Sequence, residues 1–179
     1  CGIIPLVEPM IPRTAAPWLT LISFSFLYLT LFILPSTPTW FASDRQFNLL
    51  NAKRLLDGQV MYLDFFDYWP PGTEVVYLAF FKTLGLRAWL PNVILLLEKL
   101  GLTLVTFALA KRVLEERAAL LAGLLFLTVG ARFDNGDFHW LSILAALAAA
   151  WALIEALTPR RLILAGALCG LSAFFMHPR

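Results

Sequence analysis

Charge is scarce in this sequence. Only 15% of its 179 residues are charged and the formal net charge is +2, whereas 60% are hydrophobic. An ordinary soluble domain is nearer a quarter charged and half apolar, and a disordered chain has more charge and fewer apolar residues. The composition therefore argues against both classes, and so small a net charge gives no indication of nucleic-acid binding.

Cysteine and histidine are also rare, with two of each. Cys1 and Cys169 are too few for a disulfide scaffold, and the apolar run around Cys169 is typical of an inert buried thiol. No internal repeat or low-complexity tract is visible. What remains is a polytopic membrane protein, and because the sequence begins with Cys1 rather than Met we expect it to be part of a longer protein.

Long apolar runs are what the sequence has in abundance. A spanning helix needs roughly 20 mostly apolar residues. Five segments are predicted to cross a membrane, at 18–34, 90–110, 118–131, 140–157 and 162–176. The predicted fold class is therefore all-α, a transmembrane helical bundle of five spans. The third span is short, which predicts that the loop after it dips toward membrane depth.

Basic residues predict the orientation of the bundle. Arg13 and the basic loops 111–117 and 158–161 lie on one side only if the segment 72–86 does not cross. We therefore expect 72–86, which contains Glu74, to be a helix lying at the membrane interface. The predicted extracytoplasmic loops are then 36–89 and 132–139.

The first of these loops is predicted to begin with a short helix. Ser43 and Gln46 have the spacing of a capping box, and Gly58 is a natural stop. Asp44 then lies in the first turn of this helix. Two interpretations remain open: an acid that stabilises the helix dipole, or a functional carboxylate.

Acids and aromatic residues alternate later in the same loop, ahead of a Pro-Pro-Gly turn. The candidate substrate-binding residues there are Tyr62, Asp64 and Asp67. Acids in such a stretch can simply be solvated. The functional alternative is a polar rim that recognises sugar hydroxyls or holds a cation.

The second loop contributes three more candidates, Arg132, Asp137 and His139. The stretch 134–137 lacks the ligand ladder of a calcium loop, so a plain turn is the simple interpretation. His139 is either a structural residue at a helix start or a ligand. Arg132 either reaches toward the membrane surface or pairs with a phosphate.

Two further features lie inside the predicted spans. Glu98 and Lys99 are adjacent in the second span, so they point in different directions and are expected to contact other spans. The alanine-rich run 145–152 in the fourth span would let a neighbouring helix approach closely.

Taken together, Asp44, the stretch 52–58 and the stretch 62–72 resemble the membrane glycosyltransferases of the C-type fold. The similarity is to the bacterial branch related to protein mannosyltransferases, aminoarabinose transferases and lipopolysaccharide galacturonic acid transferases. It covers nearly the whole chain, so that residues 1–179 correspond to the N-terminal part of that membrane domain. The sequence departs from the family where Arg45 replaces a second acid and where Trp69 replaces a lysine before the two prolines.

The resemblance implies an activity and its partners. Such enzymes transfer a sugar from a polyprenyl-phosphate donor to a lipid, glycan or protein acceptor at the outer face, which implies a bacterial inner membrane. It implies Asp44 as the catalytic base, with Arg132 as a candidate partner of the leaving phosphate. Membrane lipids are expected partners and nucleic acid is not. No cofactor is assigned with certainty, and participation of a divalent cation stays open. The rival functions are a transporter fragment and a non-enzymatic membrane scaffold.

Overall fold

The computed structural model describes residues 15–33, 44–130, 137–155 and 157–176. The helices in these ranges are α1 Ala15–Tyr28, α2 Asp44–Leu56, α3 Gly72–Leu84, α4 Leu90–Ala110, α5 Glu116–Gly130, α6 Asp137–Glu155 and α7 Pro159–Phe175. A π-helical turn continues α1 over Leu29–Ile33. Apart from one isolated bridge between Met61 and Phe65, the described residues form no β structure. The predicted all-α class is confirmed.

The short helix predicted after the first span is α2, and it ends just before Gly58. Gly58 has a φ of +90°, a left-handed conformation that glycine adopts without the steric penalty of a side chain. The proposed cap, Ser43, lies outside the described residues.

Two of the described helices are long and apolar enough to cross a membrane, judged by length and composition. One is Ala15–Phe32, which includes most of the π-helical turn, and the other is α4. The apolar part of α6, His139–Ile154, is shorter. Helices α5 and α7 coincide with the third and fifth predicted spans. The five-span arrangement itself stays a prediction.

Helix α4 lies at the centre of the packing, where it contacts α1, α5 and α6. Leu27, Leu96 and Leu127 form a buried cluster that joins α1, α4 and α5. Leu19 and Phe107 pack together in a second cluster of these helices. These contacts hold α4 against α1 and α5 along much of its length.

Residues 44–89, here called the first-loop segment, pack on the N-terminal end of α4. Ala52 of α2 and Tyr77 and Phe81 of α3 form a buried cluster with Leu90 and Ile94 of α4. Helices α2 and α3 also pack extensively on each other. The segment predicted to lie at the interface therefore buries one face against protein, which fixes α2 at the same end of the bundle.

Helices α6 and α7 pair closely through small side chains. Ala149, Ala152 and Ala165 are buried together, and the hydroxyl groups of Ser142 and Ser172 are hydrogen-bonded at 2.9 Å. Because small residues let helix backbones approach, the alanine-rich run of α6 provides the contact surface for α7.

The prediction of a buried thiol at Cys169 is wrong. Cys169 is a free cysteine on an exposed part of α7. The physical reason is that α7 packs mainly on α6, through residues such as Ala165 and Leu168, and touches α3 only at its C-terminal end. Cys169 lies on a part of α7 that these contacts leave exposed.

Candidate functional site

Helix α2 carries the predicted catalytic acid at its first position. Asp44 begins the helix, but its side chain is not among those described. Asn48 and Asn51 follow four and seven residues later, and both are buried, with 2% and 5% of their surface exposed. This spacing places the two amides on one side of the helix. The sequence analysis missed them, although the spacing from Asp44 was a signal that could have found them.

Two of the predicted binding residues, Tyr62 and Asp64, are used inside their own loop. The Tyr62 hydroxyl donates a hydrogen bond to the backbone carbonyl of Trp69 at 2.9 Å, and the Asp64 carboxylate accepts one from the backbone N–H of Val60 at 2.7 Å. Tyr62 also has a φ of +67°, which is unusual for a residue with a side chain. These two residues shape the loop 59–71.

Asp67 links this loop to α2. Its carboxylate accepts hydrogen bonds from the Asn51 side-chain amide at 2.5 Å and from the backbone N–H of Trp69 at 3.0 Å. The two carboxylate oxygens are therefore each held by one donor. Because one of these donors lies on α2, the interaction fixes the distance between the helix and the end of the loop.

A cavity of about 370 Å³, here called the first-loop cavity, opens between α2 and the loop. Its lining combines aromatic rings with amide, guanidinium and carboxylate groups, notably Asn48, Arg54, Phe66, Asp67, Tyr68 and Trp69. Arg54 is oriented by its cation–π contact with Phe65, at 5.3 Å from the ring centre. Of the predicted residues, Asp67 lines this cavity, whereas Tyr62 and Asp64 do not.

Glu74, in the first turn of α3, is a second site residue that the sequence analysis missed. It is only 1% exposed, and neither carboxylate oxygen accepts a hydrogen bond from another described side chain. The pKa of Glu74 is raised to about 7, chiefly by burial, with a smaller rise from the nearby Asp67 carboxylate and an opposing effect of its own backbone N–H. The pKa of Tyr62 is also raised, by burial and then by Asp67 and Glu74. These three groups share one electrostatic environment.

The sequence signal for Glu74 is an acid within the otherwise apolar segment 72–86. A buried carboxyl whose pKa lies near neutrality can hold or release a proton under physiological conditions, which is typical of functional sites. Glu74 therefore belongs with Asp67 in the candidate site.

The start of α6 meets the first loop at His139. The His139 ring contacts the Trp69 ring edge to face, with 6.1 Å between their centres. Arg132 lies outside the described residues, and the side chain of Asp137 is not described, although the residue begins α6. The structure thus joins one residue of the second predicted site segment to the first loop.

Within the described ranges, no group of three or more His, Cys, Asp or Glu side chains is arranged to hold a metal ion. Comparison of the chain with protein-family models, with curated proteins and with solved structures found no match.

Proposed function

We propose that the chain is part of a membrane glycosyltransferase that moves a sugar from a polyprenyl-phosphate donor to a hydroxyl group of a lipid, glycan or protein. The observation that carries the proposal is the Asn51–Asp67 hydrogen bond. It joins the helix that Asp44 begins to a loop rich in acids and aromatic residues, and a cavity lies between them. This constellation lies at one end of α4, a helix long enough to span a membrane.

The proposed arrangement in the membrane has five spans, with α5, α6 and α7 joining the two longer apolar helices. The packing of α5 and α6 on α4, and of α7 on α6, supports this, because a short apolar helix can cross where neighbours cover its polar ends. The basic loops 111–117 and 158–161 face the cytoplasm in this proposal, and the first-loop segment faces outward. The membrane is the bacterial inner membrane.

The proposed reaction is a single displacement with inversion. Asp44 takes the proton of the acceptor hydroxyl as its oxygen attacks the anomeric carbon of the donor sugar. A new carbon–oxygen bond forms, and the bond between the anomeric carbon and the phosphate oxygen breaks. The polyprenyl phosphate leaves with the electron pair, and Arg132 is the proposed positive partner of this anion. Lipid-borne donor and acceptor meet at the outer boundary of the membrane.

The test compares two Asp→Asn variants from the ends of the same helix. Asp44→Asn removes the proposed base, and asparagine is also acceptable near a helix N-terminus. Asp57→Asn is the matched control, because Asp57 is 53% exposed in an ion pair with Lys53 at the other end of α2. Each variant is expressed in the full reading frame, and release of undecaprenyl phosphate is measured from a panel of radiolabelled undecaprenyl-phosphate hexoses.

Asp44→Asn should lower the transfer rate by about 10²–10⁴, the range typical of losing a general base, whereas Asp57→Asn should transfer at nearly the parental rate. Equal transfer by a folded Asp44→Asn variant and the parent would remove Asp44 from the mechanism. Release of undecaprenyl phosphate by neither the parent nor the control would favour the transporter or scaffold alternatives.

A further inference from the structure

Among the described residues, one buried side-chain nitrogen at the first-loop cavity has no hydrogen-bond partner. Asn48 is 2% exposed, and its side-chain nitrogen finds no hydrogen-bond acceptor among the described residues. Leaving such a group unpaired is costly, and buried polar groups in proteins are nearly always hydrogen-bonded. Since Asn48 lines the cavity, an acceptor atom on a bound molecule would supply the hydrogen bond that its side-chain nitrogen lacks.

The loop side of the cavity supplies hydrogen-bond acceptors for the same molecule. The Asp67 carboxylate already accepts from Asn51 and from the backbone of Trp69. Two carboxylate oxygens have about four acceptor positions, so capacity remains for hydroxyl donors. The cavity is therefore lined by an amide donor from α2 and by an oriented acceptor from the loop, and a ring that carries several hydroxyl groups can pair with both.

Aromatic rings form the remainder of the cavity lining. Phe66 and Tyr68 contact each other edge to face, with 5.1 Å between ring centres, and they are 69% and 87% exposed. An aromatic face carries partial negative charge, which attracts the weakly positive C–H groups of an apolar face. A pyranose ring has such a C–H face together with equatorial hydroxyl groups. A polyprenyl chain would leave the polar wall unpaired.

We infer that the first-loop cavity is a carbohydrate subsite that takes a single hexopyranose unit. Its volume of about 370 Å³ lies near the lower end of the roughly 300–1,000 Å³ found for ligand pockets, which suits a compact ligand. The inference rests on the proposed glycosyl transfer, since it names where that reaction holds a sugar. The sugar can belong to the donor or to a glycan acceptor, because both present the same ring chemistry.

Binding is measured without turnover, using the full-length protein in nanodiscs and the methyl α-glycosides of mannose, glucose and galactose. Saturation-transfer difference NMR should detect ring protons of at least one glycoside. Tyr68→Ala and Phe66→Ala should each weaken binding about tenfold through loss of one stacking ring. Leu63→Ala is the control, because Leu63 is 80% exposed in the same loop but does not line the cavity.

Asn48→Asp should also abolish binding, since it replaces the amide donor with a second acceptor. Because Asn48 is buried, this variant is compared only if it folds. If it does not fold, the Tyr68→Ala and Phe66→Ala variants at the two exposed aromatic positions provide the test. Saturation transfer to none of the three glycosides would overturn the inference. So would equal affinity in the Tyr68→Ala, Phe66→Ala and Leu63→Ala proteins.

Competition identifies the source of the sugar. If undecaprenyl-phosphate mannose displaces the methyl glycoside and undecaprenyl phosphate does not, the subsite holds the donor sugar. If glycoside and donor bind together, it holds the acceptor sugar, and either result supports the subsite. Asp44→Asn should bind the glycoside as the parent does. A folded Asp44→Asn protein that binds and also transfers normally would refute the proposed base while leaving the subsite intact.

Discussion

The ammonium group of Lys99 donates a hydrogen bond to the backbone carbonyl of Gly130, the last residue of α5, at 2.9 Å. It also lies 3.5 Å from the centre of the Trp140 ring near the start of α6. Lys99 is 3% exposed and lies about 14 Å along α4 from its first residue, at 1.5 Å per residue. One buried charge therefore joins three helices, and α5 ends beside the middle of α4.

The first prediction concerns this junction. Lys99→Leu replaces the charged side chain with an apolar one of moderate size and leaves the Gly130 carbonyl without its charged donor. It should destabilise the fold by about 1.5–3 kcal/mol, the usual contribution of a hydrogen bond to a charged group. Thermal unfolding in detergent, followed by circular dichroism, measures the effect. Lys82→Leu serves as control, because Lys82 is exposed on α3. Equal unfolding temperatures for the two variants would show that the junction contributes nothing.

The second prediction concerns the contact of α3 with the end of α7. A Cβ atom at Gly72 would lie 2.6 Å from the Phe174 carbonyl oxygen and 2.7 Å from a ring carbon of Phe175. A backbone carbonyl cannot move aside as a flexible side chain can. Gly72→Ala should therefore destabilise the fold by about 1–3 kcal/mol, the usual cost of overpacking.

The control for this variant is Gly166→Ala. Gly166 lies in α7, the helix that Gly72 contacts, and a Cβ atom at Gly166 would meet nothing within 4 Å. Because alanine favours helix more than glycine does, this variant should be as stable as the parent or slightly more stable. Unfolding of both variants in detergent tests the pair. A Gly72→Ala protein as stable as Gly166→Ala would mean that α3 and α7 are not in close contact.

The third prediction concerns pH. The pKa of Glu74 is raised in the folded state from 4.5 to about 7, so the folded protein retains a proton that the unfolded chain releases. The stability from this group is complete below about pH 4.5 and is lost as the pH rises through about 7. Glu74→Gln cannot ionise. It should match the parent near pH 4.5 and exceed its stability at pH 8 by on the order of 3 kcal/mol.

Urea unfolding of the two proteins at pH 5 and pH 8 measures this difference. Asp67 and Tyr62 are the other titratable groups that interact with Glu74, and both remain in the variant. Glu115→Gln, at an exposed position between α4 and α5, is the control and should keep the parental pH profile. A Glu74→Gln protein that loses the same stability as the parent between these pH values would contradict the assignment.

The fourth prediction concerns orientation. Val113 and Tyr68 are 82% and 87% exposed, so cysteines at these positions should be equally reactive in solution. Each is introduced after Cys1 and Cys169 are replaced by alanine. On intact cells, a membrane-impermeant maleimide should label Tyr68→Cys at once and Val113→Cys only after permeabilisation. Immediate labelling of Val113→Cys from outside would reverse the proposed topology.

Much of the secondary structure could be predicted because its signals are local. Apolar runs predicted the positions of α4, α5, α6 and α7, and Gly58 predicted the end of α2. These features depend on residues within one or two turns, where capping and hydropathy act directly. Asp67 could be proposed as a site residue for a similar reason, since an acid among aromatic residues is visible in the sequence.

The sequence by itself determined the all-helical class, most helix positions and the concentration of acids and aromatic residues between α1 and α4. Only the tertiary structure decided which of those groups meet. Asn51 and Asp67 are 16 residues apart and Lys99 and Gly130 are 31 apart, and no local periodicity relates such pairs. Their contact depends on how α2 docks on the loop and α5 on α4. The burial that shifts the pKa of Glu74 likewise exists only once α3 has packed against its neighbours, because desolvation is a property of the assembled surroundings.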